Sequence, residues 1–382
     1  MPPQVPTPGT PPSQSPQPRV VRGTCYAMFA YDVGLAINLE QAEQRIAAGT
    51  QRGSLRAQRR TPHYFDYQPA PVRLTLNSAP IQVGAQATDT AVDILLFDFG
   101  AVSVQYSIPL HGPFADLLAV STELYAHSAL LAESRRLVES LAQQLGPTVA
   151  HPAIADLVED YQVYQLEELA PAAELHDTLR EHAALLAQVL RAERTPLAAQ
   201  EIDDTLACAI SYAPDDRTLI DWNAALLFGR NLDDVRAVLE FANIELLELR
   251  YLDDRLDDVL DQAYQIAAKG RQRWLPFVRT NPADLWRIAR LQTDHAVLYE
   301  GVNNALKLLG DQFLARVHRL AAQRFHLTEW DQSIQRKLQT IESIYEKVSD
   351  RNANRRMELL EWIIILLIAL GIVMPLLPHA GQ

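Results

Sequence analysis

The sequence predicts an α+β protein: an N-terminal mixed or antiparallel sheet domain with helices, then a long α-helical hairpin or bundle leading into one C-terminal transmembrane helix. Three observations carry this prediction. Apolar and polar residues alternate through Ala101–Leu110, as in a strand with one buried face. Apolar residues, most of them leucines, recur three and four residues apart from Leu232 to Leu260, as in an amphipathic helix. An apolar run occupies Leu359–Leu377, long enough to span a bilayer.

Composition limits the classes of function. A chain of 382 residues is long enough to fold as two units. The formal net charge of −13 argues against direct nucleic-acid binding, which normally requires a basic surface. The cysteines Cys25 and Cys208 are far apart and form no CxxC pair, so we expect neither a disulfide framework nor a zinc site.

The N-terminal half begins with residues 1–22, whose Pro, Gln, Ser and Thr content predicts a disordered tail. Residues 23–200 are predicted to form the α+β domain. Gly100 separates two apolar arms, Asp93–Phe99 and Ala101–Leu110, which predicts an antiparallel hairpin. The other expected elements are a strand at Thr24–Val33, a helix at Leu39–Ala48, a strand at Val72–Leu76, helices across Phe114–Leu145 and a strand at Tyr161–Leu166.

The second half is predicted to be helical. Residues 201–326 are expected to form a bundle of long helices, the second of which begins near Pro282, where proline is tolerated. Residues 327–358 are predicted to form a helical stalk whose apolar seam includes Ile334 and Ile341. A single helix cannot bury such a seam alone, so these stripes predict helix packing and a homo-oligomer.

The apolar segment Leu359–Leu377 is predicted to be a membrane anchor, with a buried core helix as the alternative. Trp362 stands at its start, where interfacial tryptophans are favoured, and residues 378–382 form a short tail without charged side chains. The positive-inside rule then places the N-terminal body in the cytoplasm at a bacterial inner (plasma) membrane, or at the mitochondrial inner membrane in a eukaryote. The orientation rests on three preceding arginines, Arg351, Arg355 and Arg356.

One acidic motif suggests metal chemistry. Asp253, Asp254 and Asp257 match the DDxxD pattern, in which carboxylates one helical turn apart bind magnesium and a diphosphate. No second acidic motif of similar quality accompanies it, and Asp258 and Asp261 continue the run as a solvated helix face would. We therefore predict no metal and no cofactor, and treat His295 as a core histidine.

Two segments resemble a known family. The hairpin ILLFDFGAVSVQYSIPL (Ile94–Leu110) and the closing RRMELLEWIIILLIALGIV (Arg355–Val373) are similar to the "required for meiotic nuclear division" family, also called domain of unknown function 155. The resemblance implies a bacterial member of a family anchored near its C-terminus. Its mitochondrial members support translation of organelle-encoded membrane proteins. It implies no catalytic residues, and residues 203–222 depart from the mitochondrial pattern.

Together these observations predict a non-enzymatic, membrane-tethered scaffold or assembly protein. It would act through protein–protein contacts and self-association, and the resemblance links it to translation or membrane-protein biogenesis, with the ribosome among its expected partners. The alternative is a magnesium-dependent, membrane-associated enzyme that acts on a diphosphate or lipid through residues 253–257.

Overall fold

A computed structural model describes residues 18–50, 56–58, 69–171, 174–272 and 311–347. Within these residues, thirteen strands are found. They are β1 (Arg19–Asp32), β2 (Ala36–Ile37), β3 (Arg56–Gln58), β4 (Val72–Asn77), β5 (Gln82–Val83), β6 (Gln86–Ala87), β7 (Ala91–Leu96), β8 (Ala101–Pro113), β9 (Val149–Ala150), β10 (Val158–Ala170), β11 (Ala209–Ile210), β12 (Arg217–Ile220) and β13 (Ala224–Phe228).

The helices begin after β2 and dominate the second half of the chain. They are α1 (Leu39–Thr50), α2 (Phe114–Leu124), α3 (Ser128–Leu145), α4 (Leu175–Glu181), α5 (Ala183–Arg191), α6 (Ala199–Ala207), α7 (Asp233–Gln272), α8 (Gln312–Arg324) and α9 (residues 327–347). A short 3₁₀ turn, Gly146–Thr148, follows α3.

One mixed sheet organises the described residues, with the strand order β11-β12-β13-β10-β1-β8-β7-β4-β3. Its long central strands β10, β1 and β8 pair antiparallel, and β13 pairs parallel with β10. Alternate residues of β1, such as Phe29 and Tyr31, face the main apolar core, as the two-residue period of a strand requires. Tyr31 is anchored there by a 2.6 Å hydrogen bond between its hydroxyl and that of Ser134 on α3.

The opposite face of the sheet is covered by α7 and α8. The Arg236 guanidinium lies 3.9 Å from the ring centroid of Tyr26 on β1, and the Phe325 ring packs edge-on against Tyr161 on β10 at 5.1 Å. Polar contacts are buried there as well, because the Ser103 hydroxyl donates to the Glu240 carboxylate over 2.7 Å. The sheet is therefore buried on both faces, and its central strands lack an exposed polar side.

The chain divides into two compact units. The first is Met1–Leu247 with Ala305–His326, and the second is Glu248–Asn304 with Leu327–Gln382. In the second unit the α7 seam is buried at Leu256 and Val259, and the α9 seam at Ile334 and Ile341. Since these seams are already buried in one chain, they do not require a second copy, and the homo-oligomer stays a prediction.

Several sequence predictions match the structure closely. The predicted hairpin is present, as β7 pairs antiparallel with β8 around Gly100, and β1, β4 and β10 contain the other strands that were predicted. Three strands, β11, β12 and β13, lie in the range that was predicted to be a helix bundle. Every residue of β13 is buried, so its sequence AALLF lacks the alternation that marks a half-buried strand.

The membrane part of the fold prediction is corrected. In the residues that the structure describes, no helix is both long and apolar enough to cross a bilayer. The helix α7 has the length, at 40 residues, but charges recur along it, as at Asp253, Asp254 and Arg255, and a bilayer core excludes them. The predictions of a single-pass membrane protein and of an inner-membrane location lose their support.

Other predictions concern residues that the structure does not describe. Leu359–Leu377 with Trp362 lies outside the described residues, as do the predicted tail at residues 378–382 and residues 1–17 of the tail predicted over residues 1–22. The last four residues of that first tail, 19–22, belong instead to β1. The predicted second long helix, which includes His295, lies outside them too. So do the three arginines that were predicted to set the orientation, Arg351, Arg355 and Arg356.

Candidate functional site

The predicted metal motif holds a lysine side chain. The Lys337 ammonium on α9 lies 2.8 Å from an Asp253 oxygen and 2.6 Å from an Asp257 oxygen, and Ser333 donates a hydrogen bond to Asp253 over 2.9 Å. Partial burial lowers the pKa of Lys337, but its hydrogen bonds to the two carboxylates outweigh burial and raise it. Asp253 and Asp257, four residues apart on α7, therefore bind the neighbouring helix α9 through Lys337.

The structure brings no metal site together in the region it describes, where no three His, Cys, Asp or Glu side chains are close enough to hold an ion. The cysteines are both free. Burial raises the pKa of the Cys25 and Cys208 thiols, which keeps them protonated and poorly nucleophilic. The sequence-predicted site residues thus form no reactive centre in the described residues.

A deep acidic groove lies at the carboxyl ends of β10 and β13. Because these two strands run parallel, their carboxyl ends meet at one edge of the sheet, and α4 lies beside them. The first chamber of the groove has a volume of about 940 Å³. Its described lining contains no Lys or Arg but six carboxylates: Glu167, Glu168, Glu174, Asp177, Glu181 and Asp215.

Three of these carboxylates are engaged by arginines of the same chain. Arg22 lies 2.6 Å from Glu167, Arg230 lies 3.0 Å from Glu168, and Arg180 lies 3.5 Å from Asp177. The other three, Glu174, Glu181 and Asp215, are exposed and make no ion pair with any described residue. The first chamber therefore keeps uncompensated negative charge on its walls.

The second chamber continues the groove and shares Glu167, Asp215 and Gly229 with the first. It has a volume of about 750 Å³. Gly229 has φ +132°, a conformation that glycine adopts readily, and it turns the chain from β13 towards α7. An aromatic corner lines this chamber, since Tyr212 packs edge-on against Phe313 at 5.1 Å.

The polar groups of the second chamber are largely used by the fold. Both Asp216 oxygens accept backbone N–H groups, from Tyr212 and Ala213, at 2.8 Å. Asp311 caps the amino terminus of α8 by accepting from the N–H groups of Phe313 and Leu314, as N-cap residues do. These bonds fix the chamber walls. Tyr212 as a whole residue is 76% exposed.

An ion network lies at the other end of β13. Asp221, in the turn between β12 and β13, has a side chain that is 0% exposed. The Arg191 Nε lies 2.8 Å from one of its oxygens, and the Arg324 Nε lies 2.5 Å from the other. The two guanidinium groups compensate the charge of this buried carboxylate. The Asp221 oxygen nearest Arg191 accepts no hydrogen bond in the described residues, since the Arg191 Nε donates to the Thr205 hydroxyl over 3.1 Å. Asp221 and the two arginines join α5, the β12–β13 turn and α8.

The network extends to α6 through Asp204. Both Arg324 and Arg191 reach its Oδ2, at 3.0 and 3.3 Å. The hydrogen bond and charge of Arg324 lower the pKa of Asp204. Burial lowers the pKa of Arg324, but its hydrogen bonds to Asp204 and Asp221 and their charges raise it overall. The Tyr161 hydroxyl completes the junction with a 3.0 Å hydrogen bond to the Asp221 carbonyl.

With this geometry established, comparison with known proteins places the chain in a family. The family profile described as "Uncharacterized protein MJ0711, N-terminal domain" matches residues 22–234, more than half of the chain. The chain belongs to this family. The match, which we call the MJ0711 domain, covers every described strand except the first three residues of β1, and it ends where α7 begins. Its description does not mention the "required for meiotic nuclear division" family, and that resemblance stays a prediction.

One relative adds detail. Uncharacterized protein MJ0711 of Methanocaldococcus jannaschii is 23% identical over 222 residues, which cover 57% of this chain and 66% of that protein. The chain thus spans just under two thirds of the length of this relative. No solved structure matches the chain.

The first chamber lies almost wholly inside the family match, whereas the second chamber and the ion network extend beyond it. All lining residues of the first chamber except Pro18 fall within the MJ0711 domain. The second chamber and the ion network each need α8, which supplies Phe313 and Arg324 from outside the matched range. The groove was not predicted from the sequence. Its only local signals are the acidic pairs Glu167-Glu168 and Asp215-Asp216, and nothing in the sequence places the two pairs together.

Proposed function

We propose that this protein is a non-enzymatic assembly protein that holds a Lys/Arg-rich segment of a partner protein in the acidic groove. The observation that carries the proposal is the lining of the first chamber, where the described residues around about 940 Å³ include six carboxylates and no Lys or Arg. Opposite charge steers a partner to such a groove and selects against acidic competitors. The sequence predicted that the protein acts through protein–protein contacts, and the acidic groove is the surface to which we assign such a contact.

The arginines of the chain itself support a cationic ligand. Arg22 and Arg230 already pair with Glu167 and Glu168. The Arg316 guanidinium lies 5.7 Å from the ring centroid of Phe313, within the range of a cation–π interaction. The groove therefore has the chemistry to receive further guanidinium or ammonium groups, at Glu174, Glu181 and Asp215.

The test compares two charge-reversed variants of the full chain. Glu174→Lys combined with Glu181→Lys changes two exposed residues of the first chamber. Glu123→Lys combined with Asp203→Lys changes two exposed residues outside the groove and alters the net charge equally. The probe is a short fluorescent peptide of alternating Lys and Arg, and its binding is followed by fluorescence anisotropy.

We expect the groove variant to weaken peptide binding at least about tenfold, and the control variant to weaken it less than about threefold, because charges beyond a Debye length are screened. Binding by the unaltered protein should fall between about 50 mM and about 300 mM salt. Equal losses in both variants would show that the peptide senses only the overall acidity, and the groove proposal would then fail.

A further inference from the structure

The helix α8 connects the groove to the ion network. Its first turn supplies Phe313 and Leu314 to the wall of the second chamber. Its last residue, Arg324, reaches the buried carboxylate of Asp221. Thirteen residues of α-helix span about 20 Å, and a helix transmits a displacement at one end to the other.

Between its ends α8 is fastened at further points. The Cys208 thiol lies 3.7 Å from the Leu320 carbonyl oxygen and donates to it. The His318 ring nitrogen lies 3.0 Å from a Glu245 oxygen on α7. Phe325, directly after the helix, packs on Tyr161. Most of these contacts are weak or neutral, whereas the Asp221 contact joins opposite charges away from water.

The two arginines that pair with Asp221 come from different parts of the chain, one inside and one outside the MJ0711 domain. Asp221 and Arg191 both belong to the MJ0711 domain, so the carboxylate keeps one cation when α8 is absent. Arg324 adds the second cation from outside that domain. Removal of Arg324 therefore leaves Asp221 beside Arg191, and it removes the cation that links α8 to Asp221 and to Asp204 on α6.

We infer that α8 is a strap that Arg324 locks onto Asp221, and that this lock sets the second chamber of the groove in the form that binds the cationic segment. Asp221 and Arg324 are thus positioning residues for the proposed binding, remote from the ligand itself. The binding part of this inference rests on the proposed function, whereas the lock does not.

The lock is tested by hydrogen–deuterium exchange on the full chain. We expect Arg324→Met to raise the exchange rate of residues 312–324 at least about tenfold, since local opening then lacks an opposing ion pair. Exchange in β1 and β8 should not change. Arg319→Met on the same helix is the matched control, because no contact of Arg319 enters the network. If the strap exchanges equally in all three proteins, there is no lock.

The effect on binding is measured with the same Lys/Arg peptide. We expect Arg324→Met to weaken binding about three- to tenfold, because Phe313 and Leu314 no longer hold the chamber wall, with no change for Arg319→Met. Asp221→Asn should reproduce both effects if it folds, and Arg324→Met decides the question if it does not. If Arg324→Met raises the exchange rate of α8 but leaves the peptide affinity unchanged, the inference that the Arg324–Asp221 contact sets the groove for binding is overturned. If the unaltered protein does not bind the peptide, the proposed function fails, and the exchange experiment still decides the lock.

Discussion

A pair of aspartates one helical turn apart has two common uses, and only the neighbouring helix distinguishes them. Asp253 and Asp257 could hold a magnesium ion or a lysine, since both are cations that suit carboxylate oxygens. The structure supplies Lys337 at 2.8 and 2.6 Å. Asp253 is also only 15% exposed, so its charge needs this partner. The sequence could propose the motif, but it could not show that the partner is a lysine some eighty residues away.

The contacts of Lys337 with Asp253 and Asp257 lead to a testable prediction. Replacing Asp253, Asp254 and Asp257 together with asparagine should leave magnesium binding, measured by calorimetry, unchanged. The same variant should lose about 1 to 3 kcal/mol of unfolding free energy, because Lys337 then lacks the carboxylates that compensate its partial burial. Lys347→Met, on the exposed end of α9, serves as the control. A magnesium signal in the unaltered protein that disappears in the variant would restore the metal site.

Among the elements, the hairpin of β7 and β8 shows what a local pattern can and cannot predict. Alternation marked β8 because its apolar and polar side chains fall on opposite faces, and Gly100 marked the turn. The pattern did not predict that the polar side chains Ser103 and Gln105 are buried as well. The pattern could not predict how tightly that turn is enclosed. A Cβ atom on Gly100 would lie 1.7 Å from the Gly34 carbonyl oxygen, and the residue has φ +101°.

That close approach makes Gly100→Ala a sharp test of the hairpin. We expect a loss of about 2 to 4 kcal/mol in unfolding free energy, from backbone strain and from displacement of the Gly34 segment. Gly84→Ala is the matched control: Gly84 also has positive φ, at +57°, but its Cβ would meet nothing within 4 Å. Chemical denaturation measures both. Equal losses would mean that strain alone matters and that the contact with Gly34 is unimportant.

Other elements eluded the sequence for a physical reason. The strands β12 and β13 are short and buried on both faces, so their apolar run resembles part of a helix. The groove was not predicted because its walls come from β10, α4, the loop before β12, the start of α7 and the start of α8. Topology alone brings those segments together. By contrast, α7 was predicted well, since an apolar seam over about eight turns is a strong local signal.

At the scale of the whole molecule, buried tyrosines determine how the fold responds to alkali. Burial raises the pKa of Tyr161 and Tyr164 well above the usual value of about 10. In the unfolded chain these phenols lose their protons near that ordinary value, while the folded protein keeps them. The stability is therefore fully present below pH of about 10 and decreases as the pH rises beyond it.

We expect the unfolding free energy to fall steadily between about pH 9 and about pH 12, as followed by urea denaturation. Tyr164→Phe should be destabilised at pH of about 8 but should lose less on going to alkaline pH than the unaltered protein, because one buried phenol no longer titrates. Tyr125→Phe, at an exposed tyrosine, should retain the full alkaline loss. Parallel curves for all three proteins would contradict this account.

The origin of Arg324 outside the MJ0711 domain has a practical consequence for dissecting this protein. Residues 22–234 carry the inherited sequence signature, yet the second face of their sheet is covered by helices that come later in the chain. A fragment cut at the signature boundary would present Met28, Tyr161 and Ile220 to water and would tend to aggregate. The boundary of the family match and the extent of the packed sheet therefore do not coincide.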